Sequence, residues 1–285
     1  IVELYPQAEF VVTLGHYGNY VREYLTLAHP DRKFEFVEVS PYEGPGSSLL
    51  RSMFFAKDNL QEPFIFHACD TLYSKQAPSP EQNWMGCALT SQPDVFRTVT
   101  IRNNDIMKIN EKGEMSFDYA YIGVAGIHDY LAFWENLESL LRQDYSQELS
   151  DCHVFRELLK DFPIHAWLAE AWQDIGSVEN LAKVRAKYNQ AYNVLDKPEE
   201  NIYFVGDSVV KFFADSTICR DRVERAALLT GLVPKVTDST NNFYRYSLSQ
   251  GQLLSHTVTE NRIVDLVKWA KMFLWIPTKE DVGDF

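Results

Sequence analysis

Short strand-like runs alternate with amphipathic segments over the first 190 or so residues of this chain. Five runs rich in Phe, Val and Ile and bounded by turn residues predict strands: EFVVTL (9–14), FEFVEV (34–39), PFIFHA (63–68), WMGCAL (84–89) and AYIGVAGI (120–127). Apolar residues recur at helical spacing near residues 20–25, 49–54, 131–141 and 178–188. This alternation predicts an α/β unit with a mostly parallel, Rossmann-like sheet sandwiched by helices, and such sheets bind ligands beyond the C-terminal ends of their strands.

The pattern changes after about Tyr192. Close-set strand candidates follow, with one helix near 220–230 among them: YNVLDK (192–197), NIYFVG (201–206), SVVKFFAD (208–215) and FYRYSLSQG (243–251). They predict a small antiparallel α+β unit. The stripe Leu181/Val184/Tyr188 assigns the preceding helix to the first unit, so we expect domains at 1–195 and 196–285.

Composition narrows the function classes. The 285 residues are 46% apolar and carry a formal net charge of −13, which argues against nucleic acid or anionic membranes as partners and favours small solutes. No apolar run is long enough to span a membrane, and no leader is visible. The four cysteines lack paired spacing, which predicts free thiols in a reducing cytoplasm rather than a zinc site or disulfides. Because the chain does not begin with Met, we expect it to be a fragment.

The stretch EGPGSSLL (43–50) lies between a predicted strand and a predicted helix. Gly44 and Gly46 allow the backbone to approach a ligand closely, and Ser47 or Ser48 can cap the helix that begins at Leu49. Either the segment is a capped turn, or its backbone N–H groups form a pocket for an anion or a base. Both interpretations stay open at this point.

Two aspartates are candidates for metal binding. Asp70 follows the apolar strand PFIFHA, and Asp174 precedes Ser177, the expected N-cap of a helix, in the run WQDIGS. Each has a structural alternative as a turn or cap residue, but together they could share one Mg²⁺. The pair Glu111 and Lys112 follows the strand-like segment IMKIN, where charged residues are ordinarily solvated surface.

In this order, the Gly-rich turn, strand-end Asp70, Glu111-Lys112, a strand containing Gly123 and W-x-D-I-G resemble the nucleotidylyltransferases that activate sugar 1-phosphates and phosphocholine, enzymes of the GT-A-type fold. The resemblance implies that Asp70 and Asp174 bind Mg²⁺ with the triphosphate. It also implies that Glu111, Lys112 and Gly123 contact the acceptor substrate, Lys112 having a catalytic role.

In the same family the Gly-rich turn contacts the nucleobase, which maps here to Gly44, Gly46, Ser47 and Ser48. The implied partners are a nucleoside triphosphate (CTP, UTP or dTTP) and a phosphorylated small molecule, and a homo-oligomer is left open. The family's N-terminal G-x-G-x-R loop and its lysine are absent, so we expect the chain to lack part of the catalytic apparatus. The implied reaction, attack of a phosphate oxygen on the α-phosphorus, requires charge neutralisation and in-line geometry but no covalent nucleophile.

The tail has a second resemblance. NIYFVGDSVVKFFAD, RDRVERAALL and FYRYSLSQGQLLS look like the N-terminal lobe of choline kinase and aminoglycoside phosphotransferase-type kinases. The likeness implies that Lys211 holds the phosphates of ATP, that Glu224 is its ion-pair partner and that residues 247–251 meet adenine. Alternatively, Lys211 is a protective lysine on an edge strand. The H-G-D and D-x-D motifs of a C-terminal kinase lobe do not appear before Phe285.

We therefore expect a bifunctional enzyme, a nucleotidylyltransferase fused to the first lobe of a small-molecule kinase, that supplies precursors for a surface polysaccharide or lipid. One alternative is a non-catalytic nucleotide-binding or scaffolding protein. Another is a GT-A glycosyltransferase, which the sequence favours less because Asp70 is followed by Thr71-Leu72 rather than by a D-x-D motif.

Overall fold

The structure is a computed structural model that describes residues 1–143, 149–189, 197–252 and 254–275. Two compact units are present: residues 1–21 with 31–194 form one, and residues 22–30 with 195–285 form the other. None of the helices described has the length and apolar character that a membrane crossing requires.

The described residues up to 189 form ten strands, five α-helices and a short 3₁₀ helix (Lys57–Asn59). The elements are β1 (Phe10–Leu14), α1 (Gly18–Ala28), β2 (Phe34–Glu38), α2 (Leu49–Phe55), β3 (Phe64–His67), β4 (Thr71–Leu72), β5 (Trp84–Ala88), β6 (Thr98–Arg102), β7 (Asp105–Ile109), β8 (Tyr119–Ile127), α3 (Tyr130–Arg142), α4 (Asp151–Leu158), β9 (His165–Leu168), β10 (Gln173–Asp174) and α5 (Val178–Asn189). All five predicted strands and all four predicted helical segments of this part are confirmed.

The expectation of a mostly parallel sheet was wrong. β1 and β2 pair in parallel, but the main sheet is mixed, with six strands in the order β3-β8-β5-β9-β7-β6. Within it only β5 and β9 pair in parallel. One reason is the hairpin β6–β7, whose turn residues Asn103 and Asn104 have φ of 52° and 71° and suit a tight antiparallel connection.

Long β8 is buried on both faces. Ile122 and Val124 pack on one face with Trp84, while Ile127 belongs to a second cluster with Phe133 and other side chains of α3 and α4. This two-sided burial explains why the sequence of β8 is a nearly continuous apolar run.

Gly123 interrupts β8 at a β-bulge and positions the segment after β3. Its φ is +74°, and its carbonyl accepts a hydrogen bond of 2.8 Å from the backbone N–H of Ala68. A side chain at Gly123 would place its Cβ 2.9 Å from the Cβ of Ala68. Only glycine therefore allows the backbone leading to Asp70 to lie this close to β8.

The second unit contains an antiparallel sheet in the order β11-β12-β14-β13, as predicted. Its elements beyond residue 197 are β11 (Glu200–Val205), β12 (Ser208–Phe213), α6 (Ser216–Leu228), β13 (Val236–Ser239), β14 (Phe243–Ser247), α7 (Leu254–Thr257) and α8 (Glu260–Phe273). Most of the strand predicted at 192–197 lies outside the described residues. The helix predicted near 220–230 is α6, which packs Cys219 and Val223 against Phe213 and Tyr244.

Two features of the helices were not expected from the sequence: the exposure of Leu181 on α5 and the grouping of residues 22–30 with the second unit. α5 forms as predicted, but Leu181 of its predicted apolar stripe is 39% exposed. Residues 22–30 cluster with the second unit: Tyr24 packs against Tyr203, and Glu23 accepts a hydrogen bond of 2.6 Å from the Thr240 hydroxyl.

Candidate active site

Asp70 and Asp174 come together because their flanking residues pair as two very short strands. Asp70 directly precedes β4, and Asp174 in β10 is the register partner of Thr71. The backbone N–H of Ile175 donates a hydrogen bond of 2.8 Å to the carbonyl of Asp70, which extends this pairing past the strands.

The backbone at Gly176 lies in front of both carboxylates. An added Cβ at Gly176 would lie 3.2 Å from Oδ1 of Asp174 and 3.2 Å from Oδ2 of Asp70. The two oxygens are thus separated by at most about twice that distance. The predicted proximity of the two aspartates is confirmed, whereas their binding of a metal stays a prediction.

Asp174 is held by neighbours that sequence reasoning missed. Its Oδ2 accepts a hydrogen bond of 2.6 Å from the side-chain amide of Asn180, and its Oδ1 accepts one of 3.3 Å from the N–H of Gly176. The Ser177 hydroxyl accepts from the N–H of Asn180 at 3.1 Å, as expected of an N-cap. The spacing of Asn180, three residues beyond the predicted cap, could have identified it as a residue near Asp174.

The donor set suits a cation that is shared with a substrate. Mg²⁺ typically takes one or two carboxylates from the protein and fills its octahedron with water and substrate phosphates. Asp70 is exposed and Asp174 is half-buried, so phosphates have access to both. In the described residues, no group of three or more His, Cys, Asp or Glu side chains could hold a metal. The two aspartates therefore fit such a Mg²⁺ and do not form an all-protein metal cage.

An open cleft of about 380 Å³ adjoins Asp174. Phe96 and Trp172 form an edge-to-face aromatic pair with ring centroids 5.1 Å apart, and the Trp172 indole N–H donates to the Thr71 hydroxyl at 2.8 Å. Polar side chains of residues 90–92 and Lys183 on α5 also line the cleft. The cleft thus combines an aromatic wall with polar groups, as small-molecule sites often do.

The Gly-rich turn has the geometry of a capped turn. Gly44 and Gly46 have φ of +75° and +89°, which favour glycine. Ser48 caps α2 by accepting from the N–H of Arg51 at 3.1 Å, and the Ser47 hydroxyl donates to the carbonyl of Gly44 at 2.7 Å. Both hydroxyls thus have backbone partners three residues away, and contact with a nucleobase stays a prediction.

Glu111 belongs to an ion cluster in the loop after β7. It pairs with Arg97 at 3.3 Å and with Arg156, whose guanidinium also donates to the carbonyl of Ile109 at 3.0 Å. Partial burial raises the pKa of Glu111, but the two arginines outweigh it and hold the pKa below its ordinary value. Glu111 therefore stabilises its own loop, and Lys112 beside it is exposed. Their contact with an acceptor substrate is untested.

Lys211 lies on an interior strand, because β12 pairs with both β11 and β14. The edge-strand interpretation of Lys211 is therefore wrong. Its side chain is half-buried with Nζ 5.8 Å from the centre of the Tyr246 ring, and burial, followed by the charge of Arg222, lowers its pKa.

The expected ion pair between Lys211 and Glu224 is also wrong. Glu224 is 69% exposed and lies 3.9 Å from Arg220, one turn earlier on α6. The face of α6 that meets the sheet carries Cys219 and Val223, which explains why Glu224 lies elsewhere. Within the described ranges, no carboxylate lies at ion-pair distance from Lys211.

Comparisons with known proteins bear on the fold. No protein-family model matches the sequence, and no curated protein matches it. A solved structure of a Bacillus anthracis protein assigned as a glucose-1-phosphate thymidylyltransferase, in complex with sucrose, aligns with a TM-score of 0.54 and 15% identity over 69% of this chain and 81% of its own. The aligned part has a nucleotidyltransferase-like fold.

Two further solved structures are similar. A nucleoside-diphosphate-sugar pyrophosphorylase from Vibrio cholerae aligns with a TM-score of 0.50 and 14% identity over 64% of this chain and 82% of its own. An inositol-1-phosphate CTP transferase from T. maritima aligns over 66% of this chain and 78% of its own at 18% identity, with a TM-score of 0.48 that is too low to support an argument. Identities this low establish the fold alone.

Proposed function

We propose that this chain is the core of a nucleotidyltransferase that transfers a nucleoside monophosphate from a triphosphate to a phosphorylated small molecule and releases pyrophosphate. The observation that carries the proposal is the convergence of the Asp70 and Asp174 carboxylates in front of Gly176, beside an open cleft. The nucleotidyltransferase-like fold of the aligned part supports it.

The two aspartates would together hold one divalent cation, for which we propose Mg²⁺. When bound, Mg²⁺ would neutralise the charge that builds up as two phosphate groups approach one another. Asn180 and the N–H of Gly176 fix the orientation of Asp174 through hydrogen bonds to both of its oxygens. The protein's own contribution is therefore to place two carboxylates at fixed positions and to align the reacting phosphates.

The cleft beside Asp174 is the proposed site of the acceptor. The edge-to-face pair of Phe96 and Trp172 offers an apolar wall for the body of a sugar or head group. Lys183 at the cleft, which pairs with Glu179 at 2.8 Å, would attract an acceptor phosphate. The acceptor class is a sugar phosphate or a small phospho-alcohol such as phosphocholine. The product would be a nucleotide-activated sugar or head group, a form suited to building surface polysaccharides or lipids.

The decisive test is pyrophosphate release by the full-length protein from a panel of CTP, UTP and dTTP with candidate phosphates. We expect Asp70→Asn and Asp174→Asn to lower the rate by more than roughly 100-fold, because loss of outer-shell partners alone costs 10–100-fold. Asp161→Asn, at an exposed turn after α4, is the matched control.

Two results would reject the proposal. Triphosphate binding without turnover of any acceptor would favour the non-catalytic alternative. Transfer of a sugar from a nucleotide-activated donor would favour a glycosyltransferase.

A second activity, phosphotransfer from ATP, is proposed for the second unit. The observation that favours it is a half-buried lysine on an interior strand without a carboxylate partner in the described ranges, on the sheet face that α6 covers. The triphosphate of ATP would supply the missing negative charge. Lys211→Met in the full-length protein should abolish kinase activity and leave nucleotidyl transfer intact, whereas unchanged kinase activity would refute this role.

A further inference from the structure

Asn180 is fixed at two points in the first turn of α5. Its backbone N–H donates to the Ser177 hydroxyl at 3.1 Å, and its side-chain amide donates to Oδ2 of Asp174 at 2.6 Å. The side chain is half-buried at the edge of the cleft. The helix cap therefore fixes the backbone of Asn180, and the short hydrogen bond to Asp174 links its side-chain amide to the carboxylate.

The other oxygen of Asp174 has a different environment. Oδ1 lies on the side of Gly176, toward Asp70, and its hydrogen bond from the Gly176 N–H is long at 3.3 Å. The terminal torsion of an aspartate is broad and roughly two-fold, so the carboxylate rotates readily unless a neighbour holds it. The short bond from Asn180 occupies one oxygen and leaves the other facing Asp70.

We propose that Asn180 is a positioning residue that holds Asp174 in the orientation required to share a divalent cation with Asp70. This inference rests on the proposed nucleotidyltransferase function. Mutation of a residue that orients a metal-binding carboxylate through a hydrogen bond typically lowers metal affinity or activity by 10–100-fold.

The test measures Mn²⁺ binding to the full-length protein by electron paramagnetic resonance, independently of turnover. Asn180→Ala and Asn180→Leu both remove the hydrogen-bond donor, and Asn180→Leu keeps a side chain of similar size. Both variants should raise the Kd for Mn²⁺ roughly 10–100-fold. Arg185→Ala, at an exposed position of the same helix, should bind Mn²⁺ as the unmodified protein does. Circular dichroism verifies that each variant is folded.

Steady-state kinetics give a second readout. If Asn180 positions the ligand, its variants raise the KM for Mg²⁺, and saturating Mg²⁺ restores most of kcat. If Asn180 variants bind Mn²⁺ normally while Asp174→Asn does not, the positioning role is refuted and the metal site survives. If Asp70→Asn and Asp174→Asn also bind Mn²⁺ normally, the metal site fails and the role of Asn180 fails with it.

Discussion

Gly176→Ala tests the space between the two carboxylates with a single methyl group. The new Cβ would lie 3.2 Å from an oxygen of each aspartate, tighter than ordinary carbon–oxygen contact, so at least one carboxylate must shift by a few tenths of an ångström. The φ of Gly176 is outside the left-handed region, so alanine brings no backbone strain. The effect is therefore confined to the site.

The expected size follows from the geometry that Mg²⁺ demands. Its bonds to oxygen are about 2.0–2.1 Å in a near-ideal octahedron, so a methyl between the ligands both displaces them and occupies room for the ion. Misplacement by about 1 Å can cost roughly 100-fold in rate, and a smaller shift of both ligands should cost about 10–100-fold, or about 1.4–2.7 kcal/mol. Replacing glycine by alanine at a compatible site changes stability by only about 0.4–1 kcal/mol, in the favourable direction.

The assay compares pyrophosphate release as a function of Mg²⁺ concentration with the thermal melting of the same variant. We expect a lower rate or a higher KM for Mg²⁺ together with an equal or higher melting temperature. Val178→Ala, two residues further on and 87% exposed, is the control and should change neither quantity. Wild-type Mg²⁺ dependence in Gly176→Ala would refute the claim that both carboxylates face a shared ion.

Three further predictions concern the remaining candidate residues. Ser48→Ala removes the N-cap of α2 and should lower the free energy of unfolding by about 1 kcal/mol in denaturant titration, with unchanged triphosphate affinity if the segment is only a turn. Partial burial raises the pKa of Glu111, but the ion pairs with Arg156 and Arg97 together lower it by more, so the net pKa lies below its ordinary value. The ionised Glu111 therefore stabilises the folded state above pH about 4.5, and this stabilisation is lost as pH falls. The melting temperature of Glu111→Gln should therefore fall less with decreasing pH than that of the unmodified protein. An unchanged dependence of melting temperature on pH would contradict this. Because burial lowers the pKa of Lys211, its charged form destabilises the folded unit at neutral pH, and Lys211→Met should raise the melting temperature; a decrease would contradict this.

Local patterns in the sequence predicted most elements but not how strands pair. Periodicity identified five strands and four helical segments of the first part, yet it carries no information on strand direction. The antiparallel partners of β8 and the hairpin at Asn103–Asn104 made the sheet mixed. β4 and β10 have two residues each, too few for any periodic signal.

The same limits apply to the site. Asp70 and Asp174 were predictable because each follows or precedes a recognisable local feature. The spacing of Asn180 from the predicted cap at Ser177 places it in the first turn of the helix, but its contact with Asp174 depends on the conformation of the turn between them. The ion pair of Lys211 with Glu224 failed because a sequence match does not fix the rotation of α6 about its axis, which here directs Cys219 and Val223 toward the sheet.

The site is assembled only while β4 and β10 are paired, so it is lost whenever this pairing opens locally. Two paired residues on each strand and the hydrogen bond from Ile175 to Asp70 hold together aspartates that are far apart in sequence. Such a short ladder can open while the six-stranded core stays folded, because a pairing with few hydrogen bonds opens at lower free energy than a core. A cation bridging both carboxylates binds only the closed form and so stabilises it by mass action. Hydrogen exchange at the Ile175 amide should slow as the cation concentration rises, giving the occupancy of the site without any turnover.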